Sequence, residues 1–266
     1  MFNKEQSDLD LYYQEQQQTG DGGSYTPDYQ SGSYQATYDK EKLALYMAKV
    51  MGWMCAGLLV TLLSAVVCLA VPSILFLTLT NSTFRVGIFA AQLILVVVFS
   101  FGLEKMSAGA ATVVFLMYSA VTGVTMSVLA LVFEMSSIIS VFGLTAFVFF
   151  AMSLYGYNTK KDLTGLGSLC FFGLIGIIAA SLTNYIVYRS AGAELAILCI
   201  GIVLFIGLVA FDAQKIKDMY VMAVTSGQEA TGEVVKKMAI YGALALYLDF
   251  INLFIRLLAI FGKRRN

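Results

Sequence analysis

A single acidic residue lies near the middle of the apolar segment that ends the chain. Asp249 stands within residues 237–263, a stretch rich in Leu, Ile, Phe, Tyr and Ala that is long enough to cross a membrane as a helix. The residues that share its helical face, at spacings of three and four, are Gly242, Ala245, Asn252 and Arg256. An ionisable group in hydrocarbon costs about 2.5 to 3.5 kcal/mol on insertion scales unless it faces a partner or a cavity. The stripe is therefore predicted to face the interior of a helix bundle, where a carboxylate could hold a proton or a cation.

A second acidic residue, Asp212, directly follows another apolar segment. The helical pattern continues beyond it through residues 213–220, with Ile216 and Tyr220 on the same face. This helix is predicted to project from the membrane surface, with Asp212 at or just below the interface. On spacing alone, Asp212 is equally well interpreted as a solvated carboxylate that pairs locally with Lys215.

Other residues that carry chemistry are few. The 266-residue chain has no histidine, and its four cysteines, Cys55, Cys68, Cys170 and Cys199, all fall in apolar segments. A zinc-type cluster and a histidine-dependent hydrolase are therefore excluded, and the cysteines are predicted to be buried free thiols. Any pH response near neutrality must come from carboxylates in an unusual environment. No cofactor and no enzymatic activity are expected.

The composition shows which elements must position these residues. With 59% hydrophobic and 13% charged residues, the chain is far too apolar for a soluble domain, and it is predicted to be an all-α polytopic membrane protein. The balanced formal charge does not fit nucleic-acid binding. The seven predicted spans are 43–70, 86–103, 109–133, 138–156, 166–188, 194–211 and 238–261.

The chain divides into two parts. Residues 1–39 are rich in Gln, Gly, Ser, Asp and Tyr, with one Lys and seven acidic residues, and are predicted to form a disordered tail. Residues 40–266 are predicted to form the seven-helix membrane domain. The tail has no basic start and apolar core of a cleavable signal peptide, so the first span is expected to serve as the insertion signal.

Basic residues predict the orientation. With the tail in the cytoplasm, ten lysines fall on the inner side, whereas the outer loops keep only Arg85 and Arg189. Seven full crossings would place the basic C-terminus, 263–265, outside. The alternative is a re-entrant last segment, and we favour the full crossing. Glu134 and Glu194 would then lie near the outer side, either attracting cations or simply solvated.

Small and polar residues crowd the third to fifth spans and predict close helix contacts. They are Ser119, Thr122, Gly123, Ser127, Gly143, Ser153, Gly156, Gly173, Gly176 and Ser181. Asn184, near the end of the fifth span, is expected to form structural hydrogen bonds.

Four stretches together resemble the Bax inhibitor-1 family, also called the transmembrane Bax inhibitor motif proteins. The stretches are 115–123 (FLMYSAVTG), 153–163 (SLYGYNTKKDL), 210–216 (AFDAQKI) and 246–254 (LYLDFINLF). The resemblance covers about residues 43–262 and leaves the N-terminal tail outside. Its bacterial-type members imply a bacterial inner membrane rather than an intracellular eukaryotic membrane.

The resemblance implies a compact bundle of seven helices whose last helix is central and surrounded by the other six. It also implies that Asp212 and Asp249 match two aspartates that form a buried pair linked to a pH-sensitive calcium leak. Some members carry an arginine near the end of the second span as a third partner, where this chain has Glu104 and Lys105. The candidates for a cationic partner are therefore Lys105, Lys215 and Arg256, with Asn252 as a further polar neighbour.

Two carboxylates held close in a low-dielectric interior cannot easily both ionise, so they would share a proton and titrate as a pair. The protonated pair would hold the sixth and seventh spans together, whereas the ionised pair would repel and offer oxygen ligands for weak calcium binding. The chain is accordingly interpreted as a pH-gated passive cation leak. The alternatives are a proton-coupled ion exchanger, and a regulatory or scaffold membrane protein of stress and cell-death control that binds other membrane proteins and transports nothing. An intramembrane aspartyl protease is disfavoured because both aspartates lack the motifs of that class.

Overall fold

The computed structural model describes residues 39–102, 106–225 and 232–265. The predicted tail, except for Asp39, and Lys105 therefore lie outside the described residues. Within these ranges, seven helical segments are long and apolar enough to cross a membrane, as the sequence predicts. The protein is an all-α, multi-pass membrane protein.

The helix bounds follow the predicted spans closely, with one short helix added. The helices are α1 (Lys40–Ala70), α2 (Pro72–Thr80), α3 (Ser82–Gly102), α4 (Ala108–Ser127), α5 (Leu129–Val132), α6 (Met135–Asn158), α7 (Thr164–Thr183), α8 (Ala191–Thr225) and α9 (Gly232–Phe261). Helix α5 continues α4 to complete the third span, and a π-helical turn, Asn184–Tyr188, extends α7. The sequence did not predict α2, which lies between the first two spans.

Local chemistry explains where several helices begin and end. Asp39 caps α1 by accepting a hydrogen bond from the Glu41 N–H at 2.9 Å, and Ser107 caps α4 in the same way. At the outer end of α7, Arg189 has a φ of 47°, in the left-handed region, and ends the π-helical turn. The Asn184 side chain spans this turn by hydrogen bonding to both the N–H and the carbonyl of Ser190, a structural role of the kind the sequence predicts.

Helix α9 is the centre of the bundle. Half of its membrane-spanning window is buried, compared with a third or less for every other span. It packs mainly against α1, α4, α6 and α8, while α3 reaches it through the stacked rings of Phe99 and Tyr241. Helix α7 packs chiefly on α8 instead. The arrangement is thus less symmetrical than a ring of six helices around a seventh, because one neighbour is shielded from α9 by another.

Small residues set the distance between some helices but not others. A Cβ at Gly156 of α6 would collide with the backbone of Ala210 in α8, and one at Gly123 of α4 would collide with the backbone of Thr61 in α1. By contrast, Gly143 and Gly176 have nothing within 4 Å of an added Cβ. The prediction of close contacts is therefore right for the first two glycines and wrong for the last two, since those face away from the bundle.

The C-terminal residues leave the bundle at the end opposite to the start of α1. The backbone of Glu134, in the α5–α6 loop, donates to the Lys263 carbonyl at 2.9 Å, and Arg265 donates to the Val132 carbonyl at 2.8 Å. Phe133 and Arg264 form the antiparallel bridge between these bonds. A complete seventh crossing, rather than a re-entrant segment, accounts for this pairing.

The four cysteines are free, as predicted, but only two of them are buried. Cys68 and Cys170 lie inside the bundle, whereas Cys55 and Cys199 are exposed on its outer surface. The prediction of four buried thiols is wrong for the latter pair because an apolar helix face in a membrane protein can also face lipid.

Candidate functional site

The site is built on the seam between α8 and α9, which run antiparallel. Ile216 of α8 lies against Gly242 of α9, where an added Cβ would sit 3.1 Å from the isoleucine side chain. Further along, the Arg256 guanidinium of α9 lies over the ring of Phe205 in α8. The stripe identified in the sequence thus faces α8.

Asp212 and Asp249 meet in the middle of this seam. Asp249 is only 5% exposed, whereas Asp212 is half-buried. Their carboxyl groups lie within hydrogen-bonding reach of each other. The second carboxyl oxygen of Asp249, Oδ2, is buried and has no hydrogen-bond partner among the described residues. Such a pair can share one proton, and ionising both groups would place two negative charges in contact within the bundle.

Neighbouring helices press closely around the pair. On the α6 side, Gly156 lets the helix approach the Ala210 backbone, one half-turn before Asp212. On the α7 side, the Cys170 thiol lies 2.9 Å from the position of a Cβ at Gly207, and it is close enough to interact electrostatically with Asp249. Two glycines therefore make room for the helices that exclude lipid from the pair.

A polar lid that the sequence did not predict lies next to Asp212, where the α6–α7 loop meets α8. The buried side chain of Gln214 accepts a hydrogen bond from the Leu163 N–H and donates one to the Lys161 carbonyl, both at 2.8 Å. Lys217 donates to the Tyr157 carbonyl at 3.2 Å. These bonds fix the α6–α7 loop to α8 within about one turn of Asp212. Gln214 carries no ionisable group itself, so only its place two residues after Asp212 could have indicated this role.

Charged groups near the pair are few among the described residues. Lys215 interacts electrostatically with Asp212, and its ammonium lies 5.9 Å from the centre of the Phe211 ring. Lys217 pairs with Asp218 at 4.0 Å on the inner surface. Of the three candidate cationic partners, Lys215 is therefore the one that the structure brings to the pair, while Lys105 lies outside the described residues.

Asp162, in the loop held by Gln214, is the exposed carboxylate closest to the lid. The Thr164 hydroxyl and backbone N–H donate to its Oδ1 at 2.6 and 2.8 Å. These two hydrogen bonds, with the hydroxyl as the larger contribution, hold the pKa of Asp162 below its ordinary value. It stays ionised at neutral pH and cannot supply a pH response there.

The remaining predicted site residues lie elsewhere. The Asn252 amide donates to the carbonyl of Leu248, one turn earlier in its own helix, at 2.8 Å. Arg256 lies two turns from Asp249 on the outer side and is not a partner of the pair, because its guanidinium packs on Phe205 instead. The reason is geometric: seven residues of helix separate it from Asp249 by about 10 Å.

The two outer glutamates differ from each other. Glu134 forms an ion pair with Lys263 at 2.8 Å and is thus already neutralised by the C-terminal residues. The idea that it attracts cations is not supported by this pairing. Glu194 is exposed in the first turn of α8, as expected for a solvated residue.

A second polar cluster lies on the opposite side of α9. The Tyr247 hydroxyl lies 2.6 Å from the Thr61 hydroxyl, and Thr61 donates to the carbonyls of Gly57 and Ser119 at 3.0 Å. Tyr247 is fully buried between the rings of Phe115 and Tyr118. This cluster holds α9 against α1 and α4, and its sequence signal is the group of hydroxyl residues in the third span.

An apolar groove of about 580 Å³ separates α1 from α6 and opens sideways from the bundle. Methionine and phenylalanine side chains line it, and Phe250 of α9 forms its floor. Such walls suit lipid chains, and the two lining residues with side-chain oxygens, Ser153 and Tyr157, are too few to coordinate an ion. Among the described residues, no group of three or more His, Cys, Asp or Glu could hold a metal ion. The aspartate pair is consequently too small a ligand set for a resident calcium site, which takes six to eight oxygens.

Comparison with known proteins shows which family and which proteins this chain is similar to. Residues 43–266 match the family model described as "Inhibitor of apoptosis-promoting Bax1". The chain is 46% identical to the inner membrane protein YbhL of Escherichia coli K12 over 84% of its own length and 93% of that protein. It is 41% identical to a protein of Borreliella burgdorferi, over 86% of this chain and 98% of the relative. It is 40% identical to a protein of Rickettsia prowazekii, over 91% and 99% respectively.

The family match spans all seven membrane helices, including both aspartates and the loop that Gln214 holds. The resemblance drawn from the four sequence stretches is therefore confirmed. The chain belongs to the Bax inhibitor-1 family, the inhibitors of apoptosis-promoting Bax1.

Proposed function

We propose that this protein is a passive cation leak, with calcium as the preferred ion, gated by pH at the Asp212–Asp249 pair. The observation that carries the proposal is the contact between two carboxyl groups on the antiparallel helices α8 and α9, with Asp249 buried. Ionisable side chains inside a membrane bundle commonly mark ion or proton pathways. The relative YbhL is an inner membrane protein, which supports a bacterial inner membrane as the location. The excess of lysine on one side supports a cytoplasmic N-terminus.

The gate works through one shared proton. While the pair holds it, a hydrogen bond joins α8 to α9 directly beneath the loop that Gln214 fixes. When the proton leaves, two negative charges lie in contact within a low-dielectric interior and repel each other. The seam then loosens at its inner end, and two carboxylates become available to a cation that enters from the cytoplasmic side.

The geometry of the aspartate pair favours conduction of calcium over tight binding of the ion. Calcium binds six to eight oxygens, and the pair supplies two carboxylates at most. Affinity is therefore low, and an ion leaves as readily as it arrives, which conduction requires. No covalent step takes part, so the protein is proposed to act without enzymatic chemistry.

The test is calcium flux into proteoliposomes of the purified protein, measured with a trapped indicator while the pH on the cytoplasmic face is varied. Flux is expected to rise with pH as the pair loses its proton. Asp249→Asn and Asp212→Asn each leave a single carboxylate without a partner, and both should remove the pH dependence. Asp162→Asn is the matched control, because this exposed carboxylate lies outside the seam and should leave the profile unchanged.

Three outcomes separate the possibilities. An unchanged pH profile in Asp249→Asn would show that the pair is not the sensor. A flux that falls as pH rises would keep the pair as sensor but contradict opening by repulsion. Accumulation of calcium against its gradient, driven by an imposed proton gradient, would identify an exchanger instead of a leak.

A further inference from the structure

Arg256 is a half-buried cation in the seam that the proposed gate does not use. It lies on α9, on the outer side of the aspartate pair, and its guanidinium is 5.1 Å from the centre of the Phe205 ring of α8. Its Nε is buried and has no hydrogen-bond partner among the residues that the structure describes. None of the ion pairs found in the described parts of the chain involves it. A charge in this environment costs free energy, and charged residues inside a membrane bundle commonly mark functional sites.

The helix opposite is shaped to admit this side chain. A Cβ at Gly201 of α8 would lie 2.6 Å from Nη1 and 2.8 Å from Cζ of Arg256. The guanidinium thus fills the space that a larger residue at position 201 would take, and Phe205, one turn later, receives its face. The arginine therefore lies between α8 and α9 rather than along the lipid surface.

The position of Arg256 along the seam determines how its charge affects a cation that moves there. Arg256 is seven residues from Asp249 and Phe205 is seven residues from Asp212, so the arginine lies about 10 Å outward of the pair. A cation that moves along the seam between the pair and the outer side has to pass the guanidinium. Because no ion pair of the described residues neutralises this charge, the cation meets a repulsion whose size is proportional to its own charge.

We propose that Arg256 is a specificity-determining residue of the seam: a fixed positive charge that limits cation flux and slows divalent ions more than monovalent ones, and so reduces the calcium preference that the aspartate pair provides. This inference rests on the proposed leak function and adds the outer barrier to it. The pair at the inner end sets when the seam opens, and Arg256 sets how fast and how selectively ions cross once it is open.

The relative flux of calcium and potassium distinguishes an effect of the Arg256 charge from an effect of its packing. Since the electrostatic work doubles for a divalent ion, the factor by which a neutral variant speeds calcium should be the square of the factor for potassium. For Arg256→Gln we expect roughly a tenfold rise for calcium and roughly a threefold rise for potassium. A change that only loosens the packing would speed both ions by the same factor.

The experiment measures calcium and potassium flux in proteoliposomes at one alkaline pH for a set of variants. Arg256→Gln removes the charge, Arg256→Lys keeps it and should retain most of the barrier, and Gly201→Ala pushes the intact guanidinium out of the seam. Gly201→Ala should give a smaller rise in flux, and the factor for calcium should again be the square of the factor for potassium. Arg264→Gln is the control, because this exposed arginine lies at the same end of the bundle but beyond the seam. Thermal unfolding of each variant verifies that it is folded.

Equal factors for the two ions, or no change in Arg256→Gln, would overturn the inference while leaving the leak itself intact if the wild type still shows pH-dependent flux. Flux that appears only in Arg256→Gln would support the barrier and show that it closes the resting protein. The absence of flux in the wild type and in every variant would overturn both proposals.

Discussion

At the scale of single residues, the two sides of α9 use polar groups for different purposes. Asp249 faces α8 and lies near another carboxyl group, and in the proposed gate the two share one proton. Tyr247, two positions earlier, faces α1 and α4 and bonds to a neutral hydroxyl. In the proposed gate, pH changes the contact between Asp249 and Asp212. The hydrogen bond between Tyr247 and Thr61 does not change near neutral pH, because both hydroxyl groups stay neutral there. The tyrosine side therefore holds α9 against α1 and α4, and the proposed gate moves only the aspartate side.

The hydroxyl contact should stabilise the bundle without affecting the gate. Tyr247→Phe removes the bond to Thr61 and keeps the ring, so the free energy of unfolding should fall by about 0.5 to 1.5 kcal/mol. Denaturant unfolding in detergent measures the loss. A double-mutant cycle with Thr61→Val isolates the coupling, and a coupling energy near zero would show that the 2.6 Å contact contributes nothing. The pH dependence of flux should survive in Tyr247→Phe.

At the scale of elements, the packing of helices depends on a few positions where two backbones nearly touch. Gly156 lets α6 reach α8 beside Ala210, and Gly167 of α7 lies against the ring of Phe211. Both contacts border Asp212 from different sides. The residues around Asp212 are thus held by neighbouring helices, and the seam with α9 is the interface at which the proposed gate opens.

Two glycines of the same helix offer a matched test of this packing. Gly156→Ala introduces a methyl group into the Ala210 backbone and should destabilise the protein by about 1 to 3 kcal/mol, as overpacking does. Gly143→Ala meets no atom within 4 Å and should stabilise α6 by up to about 1 kcal/mol through helix propensity. Thermal unfolding of both variants checks the sign of each change. If the two variants behaved alike, the close approach at Gly156 would not limit the packing.

The lid over the inner end of the seam also belongs to this scale. Gln214→Leu leaves the Leu163 N–H and the Lys161 carbonyl without their partner, which should cost about 1 to 3 kcal/mol. Gln214→Glu keeps an acceptor for Leu163 and loses only the donor to Lys161, so its effect should be smaller. Hydrogen exchange of residues 159–163 measures the release of the loop. Unchanged protection in Gln214→Leu would show that the loop is held by other contacts.

At the scale of the whole molecule, an odd number of crossings separates the two ends of the membrane domain. The start of α1 and the C-terminal residues lie at opposite ends of the bundle, and the latter are tied to the α5–α6 loop. The ion pair between Lys263 and Glu134 adds little by itself, since its side chains are 71% and 33% exposed. The backbone bonds are therefore the main anchor of this end, and they belong to the side that Arg256 also faces.

The topology can be checked with reporter fusions. With the N-terminus in the cytoplasm, a green fluorescent protein fused there should be fluorescent, whereas the same reporter at the C-terminus should be dark. Alkaline phosphatase should give the opposite result, because it folds only outside the cytoplasm. Two fluorescent fusions would place both termini on one side and contradict the seven complete crossings.

The sequence by itself determined the class of the protein, the seven spans and the face of α9 that turns inward. These follow from hydrophobic length and helical period, which are local properties that each segment carries alone. The extension of α8 past Asp212 was predictable for the same reason. The short helix α2 was not, because a nine-residue apolar segment between two spans has no distinct periodic signal.

Only the tertiary structure decided which polar groups meet. In the tertiary structure, Arg256 packs against Gly201 and not against the aspartates. Glu134 pairs with Lys263, and Gln214 forms a hydrogen bond with the α6–α7 loop. The tertiary structure also separated the glycines that touch a neighbour from those that face lipid. These outcomes depend on the register between helices far apart in the chain, and in a membrane apolar residues face lipid as readily as protein, so hydrophobicity alone cannot define that register.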